Sequence, residues 1–339
     1  MAKNAILPIF IPHLGCPNDC VFCDQRSISG AIAAPTPEDL RNAIEDGLAR
    51  LSPTVQPELA FYGGSFTAID PALQEAYLAV AEPFLREGRL SSIRISTRPD
   101  AISPEILARL IRYGVKTVEL GAQSMDDRVL AACRRGHTAE DTRRAARALR
   151  DAGLSLVLQM MVGLPEDSAE GAVATAHALA ELLPDAVRIY PTVVIEKTAL
   201  AALWQQGRYA ALTPDDAAEI CARLIAVFSV RNIPILRIGL NESVGLAERV
   251  VAGAYHPALG ELCYARAYLH RMRAMLRTLP AVSAVTVRVA PSRASVAAGH
   301  RRENLEALLR EFPHLRTIRI QADLAEPDGL EIFSMDAPK

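Results

Sequence analysis

No run of about 20 uninterrupted apolar residues occurs in these 339 residues, so no segment reads as a membrane-spanning helix. The opening stretch, MAKNAILPIFIPHLGC, lacks the long apolar core and small-residue cleavage site of a secretory signal. A cytoplasmic chain with no membrane partner is the expectation. Cysteine is sparse, six in all, and thiols in that compartment stay reduced; clustered cysteines there point to metal or redox chemistry rather than disulfide staples. Net charge is scarce too, only −2. Half of the residues are hydrophobic, which excludes a disordered or fibrous chain and suffices for one large α/β domain of roughly 200 to 250 residues plus a smaller one.

What is present has a rhythm. Helix-start signals, a capping residue followed by proline or acids, recur at Thr36-Pro37-Glu38-Asp39, Asp70-Pro71, Ser103-Pro104-Glu105, Thr138 to Asp141, Ser168 to Glu170 and Thr213 to Asp216. Leu40, Ile44, Leu48 and Leu51 supply the apolar stripe of the first. Short apolar runs precede these starts: 9–11, 59–63, 93–96, 117–121, 156–163 and 187–195. Near-continuous apolar strands alternating with helices argue for a parallel sheet buried on both faces. Six units suit a closed or three-quarter (β/α) barrel better than an open two-layer sheet, although periodicity alone does not separate the two. Barrel sites form on the loops after the strands. The run GCPNDCVFC, Gly15 to Cys23, occupies that place after the first strand, and Tyr62 to Ser65, Ser96 to Arg98, Gln123-Ser124 and Gly163 to Pro165 follow later ones.

Cys16, Cys20 and Cys23 are spaced C-x3-C-x2-C, with Phe22 just before the last. Three thiolates can hold three irons of a [4Fe–4S] cluster and leave the fourth open to a substrate. The alternative for the same residues is a zinc site completed by His13. Cys133, Cys221 and Cys263 are scattered, as buried free thiols commonly are.

The cysteine spacing with its aromatic residue resembles the signature of the radical S-adenosylmethionine (SAM) superfamily. The resemblance implies a partial (β/α)6 TIM-like barrel, a [4Fe–4S] cluster, SAM chelated by the open iron, and a reductant such as flavodoxin or ferredoxin. One electron from the cluster would cleave SAM to a 5′-deoxyadenosyl radical that abstracts a substrate hydrogen. It also implies cofactor contacts from Phe22, from the backbone of Gly63-Gly64, and from Ser96, Gln123, Arg135 and Gln159. The chain departs from the pattern at Ser65, where many members carry an acid. Against the oxygen-independent coproporphyrinogen oxidases, Ser96 replaces a glutamate and Gln159 an aspartate.

STRPDAIS (96–103), VELGAQSMDDRVL (118–130), VRIYPTVVIEKTALAALWQQGRY (187–209) and GAYHPALGEL (253–262) resemble the catalytic subunit of Elongator and its bacterial and archaeal relatives, most of residues 5 to 265 together. That likeness implies an RNA substrate, tRNA. The Elongator subunit carries a C-terminal acetyltransferase domain that this sequence is too short to hold, so carboxymethylation of uridine by the same route is not expected. A radical SAM enzyme for a small molecule such as a tetrapyrrole, and a non-catalytic zinc-containing RNA-binding protein, are the competing readings. Tyr255 and His256 are further candidates for proton donation, with a structural role the stronger expectation.

Residues 1–265 are expected to form the barrel with its extension, and 266–339 a small basic α/β segment. From Tyr264 to Ile320 there are eleven arginines against three acids, a charge of +8 that leaves −10 for the remainder. The pattern there reads strand 284–289, helix 292–298, the turn Gly299-His300-Arg301-Arg302, helix 303–312 and strand 316–321. That order resembles the minimal KH module, whose GxxG turn clamps nucleic-acid backbone; here Arg302 stands at the second glycine, and Arg301 and Arg302 are the candidate RNA contacts.

Overall fold

The computed structural model describes residues 5–11, 15–16, 19–23, 34–52, 54–240 and 245–335. Seven strands form one all-parallel sheet: β1 (Ile6–Phe10), β2 (Glu58–Tyr62), β3 (Ser92–Thr97), β4 (Val115–Gln123), β5 (Ser155–Val162), β6 (Ala186–Pro191) and β8 (Ile235–Ile238), in that spatial order. The sheet curls around one cavity but does not close, because β1 and β8 remain its two edges among the described residues. β8 is one strand more than the six units expected. The expected run 187–195 is broken in two: β6 ends at Pro191, and β7 (Val193–Ile195) leaves the barrel sheet to pair antiparallel with β9 (Val250–Gly253). Between them the Thr192 hydroxyl donates to the Val162 carbonyl at 2.8 Å, holding the break against β5.

Every expected helix start is realised on the residue that signals it. Thr36, Thr138 and Thr213 each form a reciprocal capping box with the acid three residues on. The side chains of Asp70, Ser103 and Ser168 accept first-turn N–H groups. Leu40 and Ile44 of the helix Pro37–Ala49 are fully buried beneath the sheet.

The two faces of the sheet differ. Outward positions such as Leu59, Phe61, Ile93, Ile95, Val118, Leu120, Leu156 and Leu158 lie buried in the main core. Inward positions of the middle strands are largely polar: Glu58, Tyr62, Arg94, Ser96, Glu119, Gln123, Gln159, Arg188 and Tyr190 line the cavity, with Ile6, Pro8 and Phe10 of β1 and Leu236 of β8 as its apolar margin. The sheet is buried on both faces as expected, but its inner face is lined largely by polar side chains that the apolar runs did not announce.

A second, three-stranded sheet orders β11 (Thr317–Ala322), β10 (Ala284–Val289) and β12 (Leu330–Ser334), with β10 parallel to β11 and antiparallel to β12. The helix Leu259–Thr278 joins the two units. Its first half buries Leu259, Cys263 and Ala267 in the barrel core, and its second half buries Tyr268, Leu269, Met272 and Leu276 in the core of the small unit. The boundary expected at residue 265 falls inside this helix. Asn304 adds a polar tie, its amide donating to the Ala265 carbonyl at 2.8 Å and the Ala297 carbonyl at 3.1 Å.

Met272 is fully buried where the helix meets the small unit. Truncation by Met272→Ala is expected to lower stability by about 2–5 kcal/mol, read as an earlier midpoint in urea titration of the full chain.

Candidate functional site

The cysteine loop is fastened to the barrel by its middle. The Val21 N–H donates to the Cys133 carbonyl at 3.2 Å, its own carbonyl accepts from the Leu200 N–H at 2.7 Å, and its side chain is buried against Val129, Cys133 and Leu164. On the other side Gly15 lies so close to the turn after β2 that a Cβ there would stand 2.2 Å from the Ser65 carbonyl oxygen. A larger residue at position 15 would push the loop off its seat.

Beside the loop, one guanidinium bridges thiol and barrel. Arg135 donates to the Cys20 sulfur at 3.4 Å and to the Gly121 carbonyl at 2.8 Å. Gly121 sits at the register shift near the end of β4, where Gln123 adopts a left-handed φ of 66°. That bulge turns the Gln123 amide onto Gln159 of β5, and the two amides exchange hydrogen bonds of 2.9 and 2.8 Å. A Cβ on Gly121 would stand 2.9 Å from Gln123 Nε2 and 3.3 Å from an Arg135 terminal nitrogen, so the glycine leaves room for this cluster. His137, buried beneath it with Nε2 3.1 Å from the Ala122 carbonyl, has its pKa driven down to about 4 by burial and then by Arg135, and is a neutral ring that props the bulge.

After β2 and β3, Ser65 and Thr97 are buried and share a hydrogen bond of 2.9 Å, and the Arg98 N–H donates to Ser65 Oγ at 3.1 Å. Arg98 pairs with Asp100 at 2.8 Å and is electrostatically felt by Cys16. Desolvation raises the Cys16 thiol pKa, and nearby Cys20 adds to the rise; Arg135, Arg98 and a backbone hydrogen bond from Ser65 pull it back.

Cys16, Gly63, Gly64, Ser96, Gln123, Arg135 and Gln159, expected from different loops, all line one cavity of about 880 Å³. Cys20 reaches it through Arg135. Phe22 turns the other way, half-buried between the clusters around Val21 and around Leu200, and does not line the cavity. Arg301 and Arg302 lie in the small unit, away from this site. Tyr255 packs against the β7–β9 ribbon, and His256 accepts the Ala258 N–H at 3.0 Å within its own turn, so both are structural. Cys133, Cys221 and Cys263 are buried; burial, then the nearby Cys20, pushes the Cys133 thiol up to about 12.

The deeper wall holds residues that were not singled out. Glu119 accepts from Arg94 at 2.7 Å and from Arg188 at 3.1 Å, and Arg94 also donates to Glu58 at 2.7 Å. Tyr62 donates to Glu119 at 3.2 Å; burial first, and then that carboxylate, raise its pKa well above the ordinary value and keep it a neutral donor. The signal for these residues was present: a charge at alternate positions inside strands otherwise read as buried, as in IRIS, VELG and VRIY.

Among the described residues no three His, Cys, Asp or Glu side chains converge on a point where one ion would sit. A cubane does not ask for that, since each thiolate binds a different iron. His13, the fourth ligand of the zinc reading, lies outside the described residues. Nor is any helix of the described residues long and apolar enough to cross a membrane.

The model of the radical SAM superfamily matches residues 10–179, and that of the radical SAM C-terminal domain matches residues 184–271. The tRNA uridine(34) acetyltransferase of Methanocaldococcus jannaschii is 32% identical over 234 residues, 62% of this chain and 42% of its own length. That of Dehalococcoides mccartyi is 28% identical over 304 residues, 77% of this chain and 66% of its own. The solved structure of the archaeal Methanocaldococcus infernus Elp3 with an N-terminal deletion superposes with a TM-score of 0.63 at 25% identity, over 80% of this chain and 64% of that one. The chain thus spans between about two fifths and two thirds of the length of these relatives. A parallel half-barrel, the family match over half of the sequence and the Cys16 thiol on the lining of one polar cavity lead to the same place: the chain belongs to the radical SAM superfamily and is Elongator-like within it.

Proposed function

We propose that the chain is a tRNA-modifying radical SAM enzyme that holds a [4Fe–4S] cluster on Cys16, Cys20 and Cys23 and SAM in the mouth of the half-barrel. The observation that carries this reading is the convergence of Cys16, Gly63, Gly64, Gln123, Arg135 and Gln159 on a single cavity. The donor set fits such a cluster: three thiols share one loop, with one guanidinium bonded to Cys20 and a second within electrostatic range of Cys16 to offset thiolate charge. When bound, cluster and SAM supply reductive cleavage of the sulfonium to a 5′-deoxyadenosyl radical.

The chain's own residues bind and orient. Gly63 lines the mouth at a φ of 98°, where a Cβ would stand 3.2 Å from the Ile11 carbonyl oxygen, so a glycine there lets the turn after β2 pass close to the end of β1. The Gln123–Gln159 pair offers amide donors and acceptors on a strained, pre-positioned bulge. Deeper in, Glu119, Arg188, Tyr62 and Tyr190 form the polar wall against which the reacting part of a substrate is oriented. The tRNA substrate is taken from relatives named as tRNA uridine(34) acetyltransferases; a cytoplasmic site of action and a flavodoxin- or ferredoxin-like donor are further parts of the proposal.

Anaerobic reconstitution with iron and sulfide, followed by dithionite and SAM, is expected to release 5′-deoxyadenosine, and Cys20→Ser to abolish it. Stoichiometric zinc with no deoxyadenosine would overturn the reading. Gly121→Ala, which crowds Gln123 and Arg135, is expected to weaken SAM binding roughly tenfold, about one hydrogen bond's worth, with iron content unchanged, as measured by equilibrium dialysis. Mass spectrometry of tRNA nucleosides from a deletion strain is expected to show a missing or truncated modification; an unchanged profile would move the substrate to small molecules.

A further inference from the structure

The charge of the C-terminal segment is not evenly spent. Arg266 pairs with Glu219 at 3.3 Å, Arg277 with Glu311 at 2.8 Å, Arg288 with Asp323 at 2.8 Å and Arg293 with Asp328 at 3.0 Å; Arg273 shares Glu311, and Arg271 donates to the Asp328 carbonyl. Arg301, Arg302, Arg310, Arg316 and Arg319 have no carboxylate partner among the described residues, and all five are exposed or partly so. Two of them, Arg302 and Arg319, line a groove of about 550 Å³ between the helix Ala294–Ala298 and the edge strand β11.

The groove is built for a flat apolar group with an anion beside it. Its floor is Ala294, Ala298, Leu305, Ile318 and Ile320, small or aliphatic. Strand β11 pairs only with β10 among the described residues, so its outer edge offers free N–H and C=O groups along the groove. At one end Gly299 enters the turn at a φ of 79°, where a Cβ would stand 2.8 Å from Glu303 Cγ. Arg301 and Arg302 then both take left-handed backbone, φ 49° and 68°, a conformation unusual for side-chain-bearing residues. Arg302 thereby keeps the backbone form that a glycine would have supplied in a GxxG turn, and adds a cation.

We propose that this groove binds single-stranded RNA, with a base on the apolar floor against the β11 edge and the flanking phosphates on Arg301, Arg302 and Arg319. It deepens the reading of the enzyme as acting on tRNA by assigning a grip on the substrate that is separate from the barrel. Two unneutralised arginines on the groove, Arg302 and Arg319, with Arg301 next to Arg302 in the turn, favour a polyanion, and the apolar floor with an open strand edge favours one whose bases are unstacked.

The test uses the purified full chain and a fluorescein-labelled single-stranded RNA, with duplex DNA and phosphatidylserine vesicles as comparators. Wild type is expected to bind the single strand in a salt-dependent way and more tightly than either comparator. The double variant Arg301→Ala, Arg302→Ala is expected to lose roughly tenfold or more in affinity and to flatten the log–log salt slope by about 1.4, two phosphate contacts' share for a single strand. RNA-independent deoxyadenosine release with dithionite should be unchanged, which also shows that the variant is folded. Arg319→Ala, on a different element, should weaken binding as well. Binding by wild type that is absent, insensitive to these substitutions, or matched by duplex DNA or vesicles would overturn the proposal. Arginine-dependent RNA binding in a protein that never releases deoxyadenosine would uphold the groove and sink the radical chemistry instead.

Discussion

The guanidinium of Arg135 touches the Cys20 thiol with one terminal nitrogen and the Gly121 carbonyl with the other, and so couples a short surface loop to the end of a barrel strand. Position and orientation of the thiols depend on that coupling and on Val21, whose backbone is clamped between Cys133 and Leu200. The loop would otherwise be a polar segment with few apolar contacts, the kind of element that moves most freely. Fixing it at two points holds Cys20 beside the barrel end, with Cys16 on the lining of the cavity.

Beneath that rim the half-barrel holds charge that it has largely balanced itself. Arg94 and Arg188 share Glu119, Arg94 also reaches Glu58, and Glu58 accepts further bonds from Ser92 and Thr117. Burying such a set costs desolvation that an apolar filling would avoid, so its presence is poorly accounted for by stability alone. An open sheet with a self-neutralised polar wall keeps a polar pocket where a closed barrel would fill its centre with branched apolar side chains. Tyr62, whose hydroxyl donates to Glu119, and Tyr190 extend this polar wall.

The small unit is bound to the barrel by continuity of one helix rather than by a linker. Because Leu259 and Met272 of that helix belong to different cores, the two units share a rigid element through which their relative placement is set. Its arginines divide accordingly. Those facing carboxylates of neighbouring elements serve the fold, and those on the Gly299 turn and β11 do not.

Local signals carried much of this into the linear chain. Capping residues named the six expected helix starts, though not that of the uncapped helix Leu259–Thr278, the C-x3-C-x2-C spacing pointed to cluster chemistry, and strand-to-helix order put Gly63, Gly64 and Gln123 at one end of the sheet, because capping, ligand spacing and strand-to-helix order are all contacts between residues near one another in sequence. Tertiary structure alone decided that Arg135 bonds Cys20, 115 positions away, that Phe22 faces a core instead of the cavity, and that Arg188 meets Glu119 across the curl of the sheet. It also decided that β8 extends the sheet without closing it and that only some of the arginines find partners. Those outcomes turn on which long-range surfaces meet, and a side chain's partner across a folded sheet is set by register and curvature, which no local pattern encodes.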